Sequence, residues 1–306
     1  MQAEVSADAF EKKQSQGCQY LVLGATGYFG SHAVKWLTAK GLSFKTSSVR
    51  IESRDAVEKA IDETCPKYVL CFAGIAGRPN IDWCETHKVE TIRANVTGQL
   101  TVADVCYTRG VHCTIIATGQ LYCYDDDHQM GSGRGFTESD EANFTGTFYT
   151  RMRIALEKLL VNFPNVLVVR PVYPISDDLF PRSVIAKVIK YPRVHGIPTS
   201  FTILDDLWPV LIDMPARNLT GIYNFTNPGT TDNITILSLY KKYIDPSLTW
   251  NAMSKDEEAA AAKGRPFSEL DMTKLLKDYP SLPHISTALV SLFERMKAKG
   301  IGQGTM

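Results

Sequence analysis

No apolar run in this chain approaches the roughly 18–20 residues that a membrane-spanning helix needs. The opening stretch, MQAEVSADAFEKKQSQG, lacks the apolar core of a secretory signal. Net charge is missing as well: 33 basic and 33 acidic side chains cancel. No whole-molecule field is therefore available to hold a nucleic acid or an anionic membrane, and neither is expected as a partner. An anionic ligand has to be caught by a few convergent donors. Cys18, Cys65, Cys71, Cys84, Cys106, Cys113 and Cys123 include no C-x-x-C pair, and their number is odd. That pattern excludes a disulfide framework, predicts reduced thiols in a cytoplasmic protein, and gives no reason to expect a metal. Five Asn-x-Thr sequons, at Asn95, Asn143, Asn218, Asn224 and Asn233, are read as chance in that setting. Internal repeats and low-complexity segments are absent too.

What is present is an alternation of short apolar runs with helical patterns. Gln19-Tyr20-Leu21-Val22-Leu23 stops at Gly24, which predicts a buried strand feeding a turn. A helical pattern over 29–39 ends at Gly41, followed by the strand-like Ser43-Phe44-Lys45-Thr46 and a helix near 54–63. Tyr68-Val69-Leu70-Cys71-Phe72 runs into Ala73-Gly74, a helix is predicted over 90–109, and Cys113 to Ala117 forms another apolar strand. A helix over 149–162 precedes Val166-Leu167-Val168-Val169. Such alternation predicts an α/β fold: a doubly wound parallel sheet of the Rossmann type with a smaller C-terminal substrate-binding region. The expected organisation is a flexible tail over 1–18, a nucleotide-binding domain over 19–171, and a substrate-binding region over 172–306. Within the last, about 199–228 is expected to return to the sheet, mainly through a strand from Gly221 to Phe225.

Three features point to chemistry. Gly24-Ala25-Thr26-Gly27-Tyr28-Phe29-Gly30 is a G-x-x-G-x-x-G turn between the first strand and first helix. Glycines there let backbone amides approach a pyrophosphate at the helix N-terminus. The second strand ends Thr46-Ser47-Ser48-Val49-Arg50, with no carboxylate until Glu52. A site selective for NAD usually places an acidic residue here for the ribose hydroxyls, whereas hydroxyls and Arg50 suit a 2′-phosphate. NADPH is therefore the expected cofactor, with NADH as the alternative and with Arg50 as a plain solvated charge equally open. Thr118 follows the fourth strand at the carboxyl edge, where ligands of such sheets bind. Tyr149 precedes Arg153 by four residues, so the two share a helix face. A phenol beside a fixed cation is the arrangement that donates a proton to a carbonyl under reduction.

These features together resemble an extended short-chain dehydrogenase, and in particular the UDP-4-keto-6-deoxyglucose 3,5-epimerase/4-reductases of rhamnose synthesis. More distant is a similarity to dTDP-4-dehydrorhamnose reductase. The resemblance is carried by Gly74-Ile75-Ala76-Gly77-Arg78-Pro79-Asn80-Ile81-Asp82-Trp83-Cys84-Glu85 and by Glu90-Thr91-Ile92-Arg93-Ala94-Asn95-Val96-Thr97-Gly98. Met130-Gly131-Ser132-Gly133, Asn143 to Tyr149, Thr202 to Asp206, and Asn218 to Gly229 add to it, over about 19–290. It implies reduction at sugar carbon 4 by NADPH, with or without inversion at carbons 3 and 5. By position it implies reductase roles for Thr118 and Tyr149, with Arg153 in the cation's place, and a supporting role for Asn95. Contacts to the cofactor are implied for Ala73 and Gly74 beside the glycine turn. Contacts to the nucleotide-sugar substrate are implied for Arg78, Asn80, Asn143 and Arg265, together with Thr118 and Gln120. Lys187 matches an epimerisation acid/base.

Two positions depart from the family. Arg153 stands where it has lysine, and Gln120 stands where it has a cysteine implicated in epimerisation. Arginine keeps the charge but does not release a proton in a relay. An amide does not titrate, which puts the epimerase half in question. Tyr122 and Cys123 lie close in sequence, with core packing as their default reading. A binding or regulatory protein on the same fold, like the regulatory subunit of methionine adenosyltransferase, is the alternative function, and a homodimer is left open.

Overall fold

A computed structural model describes residues 10, 14, 16–78 and 80–302. The first apolar run forms β1 (Tyr20–Leu23), followed by α1 (Tyr28–Ala39), β2 (Phe44–Ser47), α2 (Arg54–Thr64) and β3 (Tyr68–Cys71). Then come two short helices, α3 (Trp83–Thr86) and α4 (Lys88–Ile92), a π-helical turn (Arg93–Thr97), α5 (Gly98–Thr108), β4 (His112–Ile116), α6 (Phe148–Leu160) and β5 (Val166–Arg170). The strands lie in the order β2-β1-β3-β4-β5-β9, where β9 is Gly221–Asn224. The β1–β2, β1–β3, β3–β4 and β4–β5 pairings are all parallel.

Strand alternation sorts the side chains between two faces. Leu21 and Leu23 join Val69, Cys71, Cys113 and Ile115 in a core with Val57 and Ile61 of α2, Val102 and Cys106 of α5, and Leu156 and Leu160 of α6. Tyr20, Val22 and Leu70 take the opposite side with Leu37 of α1 and Ile212. Helices on both faces explain why the strands read as unbroken apolar runs. The doubly wound parallel sheet expected from the sequence is therefore present.

The helix predicted over 90–109 is broken by the π turn, which contains Asn95. Its extra residue per turn rotates α5 relative to α4, and Gly98 comes so close to Ile51 that a Cβ would lie 2.6 Å from Ile51 Cγ1. The expected tail also needs correction. Residues 1–9, 11–13 and 15 lie outside the described residues. Phe10, however, is 2% exposed and belongs to the core under α2. Gln14 Nε2 donates to Pro66 O at 2.7 Å, and Cys18 N donates to Thr64 O at 3.1 Å.

The chain divides into two compact units, Met1–Ala117 with Thr147–Val169 and Ile212–Ile222, and Thr118–Gly146 with Arg170–Leu211 and Tyr223–Met306. Residues 118–146, expected within the nucleotide-binding part, thus cluster with the second unit. There the ring of Phe136 stacks on Tyr122 and His128, and Phe136 N donates to Glu269 O at 2.8 Å. The rest of that unit contains β6 (Pro174–Ile175), α7 (Val184–Val188), β7 (Arg193–Val194), β8 (Thr202–Ile203), α9 (Asn233–Tyr243), β10 (Asn251–Ala252), α10 (Lys255–Ala262), α11 (Thr273–Asp278) and α12 (Ile285–Ala298). Ile185, Phe201, Ile203, Ile236, Leu289 and Phe293 form its core. α8 (Leu204–Ala216) runs from the second unit into the first. Of the span expected to return to the large sheet, only β9 does so; β8 pairs with β6 in a separate two-stranded sheet. No helix among the described residues is long and apolar enough to cross a membrane.

Candidate active site

The first unit gathers one set of candidate residues at the carboxyl ends of β1, β3 and β4. The chain reverses strand order between β1 and β3, and such switch points are where ligands of doubly wound sheets bind. Gly24 has φ +77°, and a Cβ there would stand 2.6 Å from Ala73 N. At Gly30 a Cβ would stand 2.1 Å from Gly24 O. Both contacts are with backbone, which cannot swing aside. Gly30→Ala is therefore expected to cost roughly 1–3 kcal/mol of stability, as overpacking does, and to weaken cofactor binding by displacing the turn. Thermal unfolding and a cofactor titration read the two effects; an unchanged titration would separate the turn from binding.

Gly27 caps α1 without a side chain, and no acidic residue stands in that helix's first turn. The positive end of the helix dipole is left for a ligand anion. Thr26 is exposed on this turn. Tyr28 is buried, edge-on to His32 at 5.0 Å, and Phe29 stacks on Phe72 at 6.4 Å. This cradle fits a dinucleotide pyrophosphate. At the end of β2, Arg50 is largely exposed and paired with Glu52 at 2.9 Å. The carboxylate noted in the sequence is thus already engaged by the arginine meant for a phosphate.

Deeper in the same unit, Asn95 is held from both sides by residue 75. Its Oδ1 accepts from Ile75 N at 2.8 Å, and its Nδ2 donates to Ile75 O at 2.6 Å. Gln99, one turn on, donates from Nε2 to Ala73 O at 2.9 Å. Its Oε1 accepts from Arg153 Nη1 at 3.0 Å. Arg153 Nη2 donates to the carbonyl of Ile116, the last residue of β4. Arg153 is 4% exposed, and its Nε has no hydrogen-bond partner.

Thr147 caps α6 by accepting from Thr150 N at 3.1 Å, which sets Tyr149 in the first turn. The Arg153 guanidinium lies 5.7 Å from the centre of the Tyr149 ring. Tyr149, Arg153, Asn95, Ala73 and Gly74 thus all belong to the first unit. Gln99 was missed. A glutamine four residues after Asn95 shares its helix face, and that spacing was the available signal. Arg78 and Asn80 are exposed on the loop after β3, where Asn80 Oδ1 accepts from Asp82 N at 2.8 Å.

The second unit holds another set. Thr118 is buried, and its Oγ1 accepts from Gln120 N at 3.2 Å. Gly119 N donates to Pro171 O at 2.9 Å, tying the segment after β4 to the segment after β5. Gln120 is hydrogen-bonded through its side chain to Tyr173, and Arg265 and Cys123 lie near enough for their charges to act on that phenol. Burial pushes the Tyr173 hydroxyl up to about 12.

Asn143 has its polar atoms engaged by the loop. Its Oδ1 accepts from Cys123 N at 2.7 Å, while its Nδ2 donates to Cys123 O and to Asp125 Oδ2, both at 2.9 Å. It shapes residues 123–125 rather than presenting a free amide. Tyr122 is core, donating to Asp140 O and accepting from Arg170. Cys123 is only half-buried, against the default reading, and its thiol faces Arg265 O at 3.8 Å.

Lys187 stands apart on α7, exposed in a groove lined by Leu179, Pro181, Ala186, Ile189 and Tyr191. None of Gln120, Tyr173, Cys123 and Arg265 lines that groove. Partial desolvation and the neighbouring Arg182 lower the Lys187 pKa. Tyr173 was not singled out from the sequence, where it reads as one more aromatic between prolines.

Comparison with known proteins bears on what these sets do. A model described as the NAD dependent epimerase/dehydratase family matches residues 20–193. The chain is 45% identical over 286 residues to a bifunctional dTDP-4-dehydrorhamnose 3,5-epimerase/dTDP-4-dehydrorhamnose reductase of Arabidopsis thaliana, covering 92% of this chain and 95% of that protein. It is 42% identical over 279 residues to a trifunctional UDP-glucose 4,6-dehydratase/UDP-4-keto-6-deoxy-D-glucose 3,5-epimerase/UDP-4-keto-L-rhamnose-reductase of the same plant. That match covers 90% of this chain but 42% of the relative's length. Among solved structures, a UDP-rhamnose synthase from Acanthamoeba polyphaga mimivirus superposes with a TM-score of 0.84 at 34% identity, over 91% of this chain and 99% of that one. A dTDP-4-dehydrorhamnose reductase from Bacillus anthracis, in complex with NADP, gives 0.77 at 16% identity over 92% and 99%, a likeness of fold alone.

Proposed function

The chain belongs to the NAD-dependent epimerase/dehydratase family, and on that premise we propose that it reduces the 4-keto group of a UDP- or dTDP-linked 4-keto-6-deoxy sugar with NADPH, towards an NDP-L-rhamnose. The observation that carries this reading is the Tyr149–Arg153 pair, a phenol in the first turn of α6 beside a buried guanidinium fixed by Gln99 and the end of β4. When bound, the cofactor supplies the hydride. The glycine turn would hold its pyrophosphate, and Ala73, Gly74 and Asn95 are the further residues that would contact it. Tyr149 Oη passes a proton to the oxygen at carbon 4 as that oxygen gains charge, and Arg153 stabilises the negative charge left on the phenol. For Thr118, the position after β4 supports the hydroxyl role that the resemblance implies. In the second unit Arg265 offers a cation suited to a substrate diphosphate; in the first, Arg78 and Asn80 are exposed polar groups on the loop after β3. Our reading includes a cytoplasmic setting, and seven free cysteines support it.

Incubation with UDP-4-keto-6-deoxyglucose and NADPH, followed by identification of the sugar, tests the proposal. Rhamnose establishes reduction with inversion, and an unepimerised 6-deoxyhexose establishes reduction alone. A second reading, cofactor binding without turnover, draws on the Arg153 guanidinium being committed to protein groups; the absence of any reduced sugar would favour it.

Cofactor choice gives a separate prediction. NADPH is expected to bind more tightly than NADH, with Arg50 leaving Glu52 for the 2′-phosphate. Arg50→Ala should then reduce NADPH affinity by roughly 10-fold or more, the worth of one charge-assisted hydrogen bond, and leave NADH affinity alone. Calorimetric titration reads both, and equal affinities in the unmodified protein would remove Arg50 from the site.

A further inference from the structure

Inversion at a carbon next to a ketone requires one group to remove a proton and another to return it from the opposite face. Gln120 does neither, because an amide does not titrate near neutral pH. The second unit, however, surrounds Gln120 with groups that the sequence did not bring together. Tyr173 is hydrogen-bonded to the Gln120 side chain and lies within electrostatic reach of Cys123 and Arg265, and the Cys123 thiol stands 3.8 Å from Arg265 O. A guanidinium is not a proton-transfer group, so Arg265 serves for charge. Two titratable groups remain, the phenol of Tyr173 and the thiol of Cys123. We propose that Cys123 and Tyr173 are the proton-transfer pair for the hydrogens alpha to the C4 ketone, Cys123 as the base and Tyr173 as the acid.

This inference rests on the substrate class proposed above. Its geometry is local and consistent. Gly119 N donates to Pro171 O at 2.9 Å, so the segments leaving β4 and β5 run together at the carboxyl edge of the strands. A Cβ at Gly119 would lie 2.6 Å from Val172 Cγ2, and only glycine permits that approach. One residue beyond Val172, Tyr173 has φ +40°, a left-handed conformation that costs a non-glycine residue roughly 1–3 kcal/mol and clusters at functional sites. Its ring packs against the edge of the second unit's core, 5.4 Å from Phe201. The backbone of Cys123 is held by Asn143 through both its main-chain groups. Tyr122, the other nearby phenol, is spent on Asp140 and Arg170.

The proposed step balances without a further reagent. The Cys123 thiolate takes the C–H proton, and the electron pair moves into the carbonyl to give an enolate. The Tyr173 O–H then forms the new C–H bond on the other face as the carbonyl re-forms. The resulting thiol and phenolate exchange the remaining proton through water, restoring both groups. Burial raises both pKa values: it keeps the phenol neutral and thus a donor, and it makes the thiolate scarcer but a stronger base.

Deuterium uptake from heavy water into UDP-4-keto-6-deoxyglucose, without NADPH and read by mass spectrometry, isolates this step. The unmodified protein is expected to exchange. Tyr173→Phe and Cys123→Ser are each expected to slow exchange by about 10²-fold or more, the span of a lost general acid or base. NADPH affinity and melting temperature serve as folding controls, since Phe keeps the ring contacts and Ser nearly keeps the volume. Exchange at the unmodified rate in either variant overturns the pair, as does an unmodified protein that does not exchange. Loss confined to Lys187→Ala would transfer the role to α7 and overturn it as well. NADPH oxidation with UDP-4-keto-rhamnose, whose carbons are already inverted, reports on the reductase reading separately. If that fails while exchange remains and depends on Tyr173 and Cys123, the reductase reading falls and the pair stands.

Discussion

Tyr149→Phe is expected to lower NADPH-dependent turnover of the keto sugar by about 10²–10⁴-fold, the usual range for a lost general acid, with cofactor affinity intact. Only one oxygen is removed. The aromatic ring beneath the Arg153 guanidinium remains, and the cap that starts α6 belongs to Thr147, so the fold has no reason to change. Hydride transfer would still place a negative charge on the sugar oxygen, now with no phenol to quench it. Single-turnover reduction followed by NADPH absorbance reads the effect, and cofactor fluorescence reads binding. Turnover within a few-fold of the unmodified protein would place the proton donor elsewhere.

Arg153→Ala is expected to act on the fold as strongly as on the reaction. The change leaves Gln99 Oε1 and the Ile116 carbonyl without the donor they now have, in a place closed to water. Each buried unsatisfied acceptor costs about 1–3 kcal/mol, so a loss of roughly 2–6 kcal/mol is expected before any cavity is counted. Thermal or urea unfolding measures it. Arg153→Lys divides the two contributions. A lysine restores the charge beside Tyr149 but reaches as a point, not a fork, so it is expected to recover reduction better than stability. A lysine variant as stable as the unmodified protein would show that the guanidinium fork is not what holds α6 to β4.

Much of the candidate site was legible because it is built from short-range chemistry. The glycine turn needs three residues within seven positions and one strand before them. Tyr149 and Arg153 need only one turn of helix. Other features depend on where distant segments meet. The expected 2′-phosphate contact at Arg50 meets Glu52, two residues away, and no spacing rule tells whether such a pair will close. Lys187, implied by resemblance to be an acid or base, stands exposed in a groove that none of the Gln120 cluster lines. Asn143 turns out to brace Cys123 rather than to offer its amide, because residues 123–125 curl back over it.

By itself the sequence determined the parallel sheet and the helices on both its faces. These come from periodicity, and periodicity reports whether a side chain is buried. In β1 and β3 every second residue feeds one face, so apolar runs of four residues admitted little besides a covered strand. Tertiary structure alone decided which polar groups met. Asn95 and residue 75 are separated by 20 positions, Arg153 and Gln99 by 54, and Gln120 and Tyr173 lie on different loops. Burial can be read from one residue and its neighbours. A hydrogen bond between distant segments depends on how the sheet orders its strands, and that order is a property of the whole chain.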